Sequence, residues 1–241
     1  MIANAVEIRA LEKRFPKFTL GPIDLTVPTG AIYGLIGPNG AGKTTLFNCV
    51  SRLYQPREGS IELDGRNLLA LPAHRIARVG IARTFQNLAL FPALTVAQNV
   101  MVGAHSRGGS SRARRADALA LLDRLGLADF ASRHAAGLPY GTLKRVEIAR
   151  ALAARPRLLL LDEPAAGLTH SEVDELADLV RSIRDEFELS VLLVEHHMAM
   201  VMSISDKVVV LDFGSKIAEG PPEQIREDPR VIEAYLGTPA V

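Results

Sequence analysis

Directly after a short apolar run at 31–36, the chain reads Gly37-Pro38-Asn39-Gly40-Ala41-Gly42-Lys43-Thr44-Thr45. This stretch matches the phosphate-loop pattern G-x-x-x-x-G-K-[ST], and the residues after it have the spacing of a helix, which is the context that the pattern requires. Gly37, Gly40 and Gly42 permit the backbone turns and close approach that let successive N–H groups surround phosphate oxygens. The positive end of the following helix favours the same anions. The whole stretch is therefore predicted to bind the phosphates of a nucleotide.

Two side chains of this phosphate loop add chemistry of their own. Lys43 should reach the β- and γ-phosphates, and the hydroxyl of Thr44 should bind Mg²⁺. Glycine-rich turns between a strand and a helix also occur for packing alone, but the Lys-Thr-Thr sequence favours nucleotide binding. The sequence thus predicts a site for a nucleoside triphosphate with its magnesium ion.

A second apolar run, 158–162, ends in the adjacent carboxylates Asp162 and Glu163. Two acids at the end of a buried strand are costly unless a cation or a reacting group lies opposite them. Successive strand side chains diverge, so the two can act differently. Asp162 is suited to the Mg²⁺ shell, and Glu163 is suited to orient and deprotonate an attacking water. The alternative, two acids on an exposed strand end, is the weaker interpretation beside a phosphate loop.

A third run, 191–195, delivers His196 at its end, where an imidazole can donate to the γ-phosphate and hold the water. A histidine at a strand end is by itself more often structural, and His197 next to it leaves the choice open by position. Gln86 follows the apolar run 81–85, where a polar side chain could contact Mg²⁺ or the water. Both assignments depend on the ordered set that includes Lys43 and Glu163.

The chain as a whole alternates short apolar runs with longer amphipathic stretches, which is typical of an α/β fold with many parallel strands. The strands are predicted at 31–37, 61–64, 158–162, 191–195 and 208–213, and the helices at 42–54, 145–154 and 171–187. Residues from about 88 to 154 have a helical pattern throughout, and we interpret them as an insertion into the α/β core. Two capping boxes mark helix starts, Thr95 with Gln98 and Thr169 with Glu172.

The remaining features limit the possible functions. The 241 residues carry a net charge of +1, with 23% charged and 48% hydrophobic residues, so bulk charge gives no reason to expect a nucleic-acid partner. The first residues lack the pattern of a secretory signal, and no apolar stretch approaches the roughly 20 residues that span a bilayer. Cys49 is expected to be a buried apolar residue. Surface positions are expected for the other histidines, His74, His105, His134 and His170.

The segment 106–115, SRGGSSRARR, combines glycine and serine with four arginines. It is interpreted as a solvated loop that enters a helix. A contact with anionic lipid headgroups or with a partner subunit is the alternative for this segment.

Taken together, these motifs resemble the ATPases of ABC transporters, from the first strand to about Gly237. The resemblance implies a P-loop NTPase (RecA-like) core with a mostly parallel sheet, a β-rich N-terminal part and a helical subdomain. It implies one domain over 1–241, with 1–87 and 158–241 forming the nucleotide-binding core and about 88–157 the helical signature subdomain. It also implies that the nucleotide is ATP and that an aromatic residue stacks on adenine, for which Phe15 fits the family's place better than Phe18.

The family's signature sequence corresponds here to Leu138-Pro139-Tyr140-Gly141-Thr142, which departs from the usual pattern. The usual serine is Pro139, so no hydroxyl is present at that place to bind the γ-phosphate. Main-chain N–H groups around Tyr140 and Gly141 and the start of the following helix remain as an anion site. The loop at 165–169 also lacks the usual final aspartate. The resemblance implies that the signature segment serves the nucleotide bound by a second subunit in a head-to-tail dimer.

The segments 138–141 and 163–168, with the C-terminal run from 217, resemble the ATPases of bacterial branched-chain amino acid importers. The implied partners are a second ATPase subunit, two membrane permease subunits and, indirectly, a periplasmic solute-binding protein. The implied location is peripheral, on the cytoplasmic face of the inner membrane. An ATPase of a lipid or lipopolysaccharide exporter, a soluble ABC protein and a small-molecule P-loop kinase are the alternatives.

Overall fold

The computed structural model describes residues 4–236. Gly237 and the outermost parts of the predicted domain, 1–3 and 237–241, lie outside these residues. The strands are β1 (Asn4–Phe15), β2 (Phe18–Pro28), β3 (Ile32–Ile36), β4 (Glu58–Leu63), β5 (Arg66–Asn67), β6 (Ile81–Arg83), β7 (Leu158–Asp162), β8 (Ser190–Val194), β9 (Lys207–Asp212) and β10 (Ser215–Gly220). The α-helices are α1 (Lys43–Val50), α2 (Ile76–Val79), α3 (Val96–Gly103), α4 (Ser111–Arg124), α5 (Tyr140–Leu152), α6 (His170–Phe187), α7 (Met198–Ile204), α8 (Pro222–Glu227) and α9 (Pro229–Leu236).

Two sheets form the α/β architecture, as predicted. The first has the order β2-β1-β4-β5 and is antiparallel, and it makes up most of the β-rich N-terminal part. The second has the order β10-β9-β3-β8-β7-β6, and every neighbouring pair in it is parallel except β9 with β10. All five strands predicted from apolar runs are present, and their bounds differ from the prediction by at most a few residues at either end.

The parallel sheet separates two clusters of buried apolar side chains. Along β7, Leu159 and Leu161 face one cluster, whereas Leu158 and Leu160 face the other. This division follows from the two-residue period of a strand. The first cluster continues into the helices α3, α4 and α5, so the helical segment shares its core with one face of the sheet. The division at about 88 and 157 into core and signature subdomain is kept as a proposal.

Two helix starts are among the clearest agreements between sequence and structure. Thr95 caps α3 and Thr169 caps α6, each with the reciprocal capping box that was predicted. Segment 106–115 contains a loop only at 108–110, because residues 106 and 107 end a 3-10 helix (Ala104–Arg107) and α4 begins at Ser111. As predicted, the segment enters a helix, and the hydroxyl of Ser110 caps α4. Two predicted helix bounds were wrong, because α1 ends at Val50 rather than at 54, and α5 begins at Tyr140 rather than at 145.

Several smaller predictions are also settled. Cys49 is fully buried, and desolvation raises the pKa of its thiol to about 11, so that it stays protonated and unreactive. The histidines at 74, 105, 134 and 170 are all exposed. Across residues 4–236, no helix combines the length and the apolar character needed to span a membrane.

Candidate functional site

The site lies at the edge of the parallel sheet where four neighbouring strands end. β3 leads into the phosphate loop, β8 into His196, β7 into Glu163 and β6 into Gln86. The register places Leu35 and Asp162 beside Val194, so three of these strands end level with one another. Ligands of open α/β sheets bind at this carboxyl edge. The motifs that are far apart in the sequence therefore meet here.

The phosphate loop needs its glycines because of close backbone contacts. Gly37 has a φ of 148°, and a Cβ added there would lie 2.1 Å from the carbonyl oxygen of Leu211. Gly42 has a φ of 108° and precedes α1 without any side-chain cap, so no side chain competes for the first amides of that helix. Unbonded amides at a helix start favour an anion.

Lys43 is buried at the base of this loop. Its ammonium donates to the carbonyl oxygens of Gly37 and Pro38, at 2.6 and 3.0 Å. Desolvation lowers the pKa of Lys43, and the negative charges of Glu163 and Asp162 oppose that shift. A desolvated ammonium held by neutral carbonyls gains most from an anionic partner, which fits the predicted contact with phosphates.

A cleft of about 430 Å³ lies against the loop. It is lined by Phe18, Asn39, Gly40, Gly42, Lys43, Thr44, Thr45, Glu163 and His196. The structure thus places the predicted base, the predicted lysine and the predicted histidine around one space.

Glu163 is the centre of the polar groups in this cleft. Its Oε2 accepts from Nε2 of Gln86 at 2.8 Å, and its Oε1 is 2.9 Å from Nε2 of His196. Its backbone has a φ of 47°, and its N–H donates to the carbonyl of Val194. Three residues separated by up to about 110 positions in the sequence therefore form one group. A left-handed conformation at a residue other than glycine is uncommon and occurs often at functional sites.

The structure also distinguishes between the two adjacent histidines. His196 faces Glu163, whereas the ring of His197 packs against His170 with 5.8 Å between centroids. This geometry supports the assignment of His196 that the sequence left open.

Glu195 was not predicted to matter, yet its buried carboxylate joins two of the strand ends. Its Oε2 accepts from the amides of His196 and His197 at 2.8 and 3.0 Å, and its Oε1 accepts from the amide of Ala165 at 2.6 Å. The carboxylate thus fixes the backbone beside the histidine and the loop after Glu163 together. The only sign of this role in the sequence was that the apolar run of the strand continues directly into a carboxylate.

Arg83 was also missed, and it forms a buried ion pair with Asp162. Its Nη2 is 2.6 Å from Oδ2 of Asp162, and its Nη1 donates to Oδ1 of Asn48 and to the hydroxyl of Ser51. The guanidinium also lies 5.5 Å from the ring centroid of Phe47. Arg83 therefore supplies the cation that the buried carboxylate of Asp162 requires, and it ties β6 and β7 to α1.

The predicted Mg²⁺ ligands are the Thr44 hydroxyl, the Gln86 amide oxygen and the Asp162 carboxylate. All three provide oxygen ligands, which Mg²⁺ prefers. In nucleotide-binding proteins Mg²⁺ is usually coordinated by one or two carboxylates together with phosphate oxygens of the substrate. In Gln86 the amide nitrogen is directed to Glu163, which leaves the amide oxygen free of that contact. In Asp162 the pair with Arg83 uses Oδ2, which leaves Oδ1. The donor set thus fits the ion.

Two predicted contacts are not brought into this cleft. Phe18 lines it, whereas the ring of Phe15 packs against Tyr54 and Phe18 at 5.6 and 6.3 Å between centroids. Stacking of Phe15 on adenine therefore stays a prediction.

The signature residues also lie elsewhere: Pro139, Gly141 and Thr142 line a separate cavity of about 130 Å³. Pro139 precedes α5, and no side chain caps that helix. The ring of Tyr140 is close to Gly167, since a Cβ on Gly167 would lie 3.2 Å from it. The helix start at Tyr140 and Gly141, the predicted anion site, has the carboxylate of Glu172 beside it, since a Cβ on Gly141 would lie 2.6 Å from Oε1 of Glu172. None of the phosphate-loop residues that line the cleft of Glu163 lines this cavity.

Comparison with known proteins decides the family. The profile described as "ABC transporter" matches residues 20–166, which is more than half of the chain. The chain belongs to the ABC transporter family. It is accordingly an ATPase subunit. A second profile, described as "Branched-chain amino acid ATP-binding cassette transporter", matches residues 215–241 of this ABC protein.

Two relatives of this ABC chain align along nearly their full length. It is 44% identical over 248 aligned residues to the high-affinity branched-chain amino acid transport ATP-binding protein BraF of Pseudomonas aeruginosa, covering 96% of this chain and 97% of that protein. It is 44% identical over 230 residues to LivG of Escherichia coli, which has the same description, covering 89% and 90%.

Solved ABC structures have the same fold. The ADP conformation of MJ1267, an ATP-binding cassette of an ABC transporter, has a TM-score of 0.88 at 27% identity and covers 98% of this chain and 99% of that one. CbiO1 of Clostridium perfringens, part of the ABC transporter complex cbiONQ, has a TM-score of 0.85 at 27% identity, with 98% and 96% covered. The predicted P-loop NTPase fold is thus confirmed.

Proposed function

We propose that this chain hydrolyses ATP to drive a bacterial importer of branched-chain or other hydrophobic amino acids. The observation that carries the hydrolytic part is the position of Glu163, bonded to Gln86 and close to His196 within the cleft that faces Lys43. This arrangement holds a carboxylate where a water could attack the γ-phosphate of a nucleotide seated on the phosphate loop.

Some of these residues bind the nucleotide, and others orient and deprotonate the attacking water. Lys43 and the loop amides, from Gly37 to Thr45, bind the phosphates and neutralise charge that develops on them. Glu163 orients the water and takes its proton, while Gln86 and His196 fix the carboxylate and contact the water or the γ-phosphate. Mg²⁺, when bound by Thr44, Gln86 and Asp162, would supply further neutralisation of the phosphate charge.

The transported solute is proposed from similarity to proteins whose descriptions name it. BraF and LivG are both described as high-affinity branched-chain amino acid transport proteins, and both are 44% identical to this chain. The C-terminal profile, matching residues 215–241, has the same specificity in its description. These similarities favour the importer over the lipid-exporter alternative.

The position of the signature segment supports a second ATPase subunit as a partner. Pro139, Gly141 and Thr142 line a cavity to which no residue of the phosphate loop contributes. We therefore propose that Pro139, Tyr140, Gly141 and Thr142 contact ATP on a second subunit, which is the same chain or a related one. The amides at the start of α5 would then replace the missing serine hydroxyl as donors.

We further propose that an exposed apolar groove receives the permease. The groove has a volume of about 490 Å³ between the core and the helical segment. Its lining includes large apolar side chains that are exposed, namely Leu53, Phe85, Phe91 and Val102. Contiguous exposed apolar surface of this kind marks a protein interface. A permease partner would place the chain peripherally on the cytoplasmic face of the inner membrane, and a periplasmic solute-binding protein would act on the other side. No nucleic-acid partner is proposed.

The groove can be tested with one charge substitution. Val102→Glu is expected to weaken binding to the co-expressed permease about 30-fold, the effect of losing a 2 kcal/mol contact at an interface. Leu119→Glu on α4 is the matched control, because the exposed fractions of Leu119 and Val102 are 39% and 41%, and Leu119 does not line the groove. Affinity of the detergent-solubilised permease for each variant measures both effects. Equal losses for the two variants would remove the groove as the docking site.

The solute assignment is tested by reconstitution. The complex that co-purifies with this chain from its native membrane is placed in liposomes with its solute-binding protein and internal ATP. We expect uptake of radiolabelled leucine, isoleucine or valine that stops when Glu163→Gln replaces the native chain. Uptake of none of these, with intact ATPase activity, would reject the proposed solute class and leave the ATPase assignment standing.

A further inference from the structure

Three charged side chains of α5 hold the main chain of the segment that contains Gln86. Lys144 donates from Nζ to the carbonyl oxygen of Gln86 at 3.3 Å. Glu147 accepts through Oε1 from the amide of Phe85 at 3.4 Å, and Arg150 donates from Nη1 to the carbonyl oxygen of Ala89. The three side chains recur every third residue along one side of the helix, and we refer to them together as the α5 clamp.

The surroundings of the clamp indicate a specific arrangement. Lys144 and Glu147 are each 2% exposed, although charged residues are rarely buried to this degree. Glu147 lies near Arg150, with Nη2 3.6 Å from Oε1, and burial is the largest influence on its carboxyl, raising the pKa. Burial of charges costs several kcal/mol unless partners satisfy them. The main chain of residues 85–89 provides those partners.

We propose that the α5 clamp positions Gln86 on Glu163, so that movement of the helix that begins at the signature segment changes the geometry of the hydrolytic carboxylate. The inference rests on the proposed role of Gln86. The contacts form a continuous series, because Lys144 holds the backbone of Gln86 and the side chain of Gln86 donates to Glu163. Lys144 is thus a positioning residue and does not touch the reacting atoms.

The same helix provides the link to the signature. α5 begins at Tyr140, and the ammonium of Lys144 lies 5.7 Å from the ring centroid of Tyr140. A nucleotide of the second subunit that contacts Tyr140 would therefore act on the residue that holds Gln86. Binding at one ATP site would in this way be sensed by the carboxylate of the other, through one rigid helix.

The test is a double-mutant cycle on the assembled transporter. Lys144→Met keeps most of the side-chain volume and removes the ammonium. It is expected to lower the kcat for ATP hydrolysis about 10- to 100-fold, the range for a misplaced catalytic group. The KM for ATP should change less than about threefold, because the phosphate loop is untouched. In a Gln86→Ala background, Lys144→Met should cause no further loss, since the group that it positions is gone.

Arg145→Met is the matched control. Arg145 lies next to Lys144 on α5 and likewise donates to a main-chain carbonyl, that of Leu125 at 2.8 Å, but it does not contact the Gln86 segment. Arg145→Met should change kcat little, and by the same factor in the native chain and in the Gln86→Ala background. Arg150→Lys keeps the charge and shortens the reach to Ala89, so it should lower kcat as Lys144→Met does. It serves as the test variant if Lys144→Met does not fold.

The possible outcomes separate the clamp from the site itself. The clamp is overturned if Gln86→Ala lowers kcat and Lys144→Met and Arg150→Lys each cause the same fold-loss of kcat in the Gln86→Ala background as in the native chain, as is expected of Arg145→Met. If Gln86→Ala leaves kcat unchanged, the role proposed for Gln86 fails, and the clamp with it. Thermal unfolding of each variant, with a midpoint close to that of the native chain, shows that the differences in kcat do not arise from loss of fold.

Discussion

Glu163→Gln is expected to lower the kcat for ATP hydrolysis by about 10²–10⁴-fold, the contribution of a positioned general base. The amide is nearly isosteric with the carboxylate and can keep the contact with His196, so the cleft should retain its shape. ATP binding through the phosphate loop should therefore persist with a Kd within a few-fold of the native value. Phosphate release by the reconstituted transporter measures kcat, and equilibrium titration with a fluorescent ATP analogue measures the Kd.

Glu186→Gln is the control for the loss of one carboxylate. Glu186 is an exposed acid paired with Arg124 at 2.6 Å, and it lies outside the cleft. That variant should hydrolyse ATP at the native rate. A kcat for Glu163→Gln within about threefold of the native kcat would leave no place for Glu163 as the base and would require another group to activate the water.

Lys43→Met is expected to raise the Kd for ATP about 10- to 100-fold, which corresponds to losing one charge-assisted hydrogen bond of roughly 1.5–3 kcal/mol. Methionine has a similar volume, so the base of the loop stays filled, but the carbonyls of Gly37 and Pro38 lose their donor. Titration with Mg²⁺ and a fluorescent ATP analogue measures the change.

Lys207→Met provides the comparison for Lys43. Lys207 is exposed at the start of β9, where it pairs with Tyr33, and so it lies at the edge of the sheet opposite to the phosphate loop. Its replacement should leave the Kd unchanged. Equal affinities of the two variants for ATP would show that the ammonium of Lys43 does not reach the phosphates.

The sequence was most informative where a local rule determines the structure. The run Leu158–Asp162 forms β7 with the bounds predicted, because a strand buried on both faces has few polar residues. The capping boxes of Thr95 and Thr169 were found for the same reason, since a cap needs only residues three positions apart. The phosphate loop was likewise predicted from a local sequence pattern.

Contacts between distant segments could not be read in the same way. Arg83 pairs with Asp162 only because β6 lies beside β7, and the sheet order is not a local property. Likewise, α5 was predicted to start too late, because Lys144 is polar in sequence but buried in the fold. The pattern of apolar residues cannot show that a charged side chain faces inward to hold another segment.

The carboxylate of Glu195 has a consequence for evolution and design. It satisfies amides from both sides, Ala165 on one strand end and His196 and His197 on the other. A chimera that imports either loop from a homologue inherits this shared anchor only if residue 195 remains acidic and buried. Otherwise several main-chain donors lose their acceptor at once, each at a cost of about 1–3 kcal/mol. The two loops are therefore expected to be exchanged as a single module.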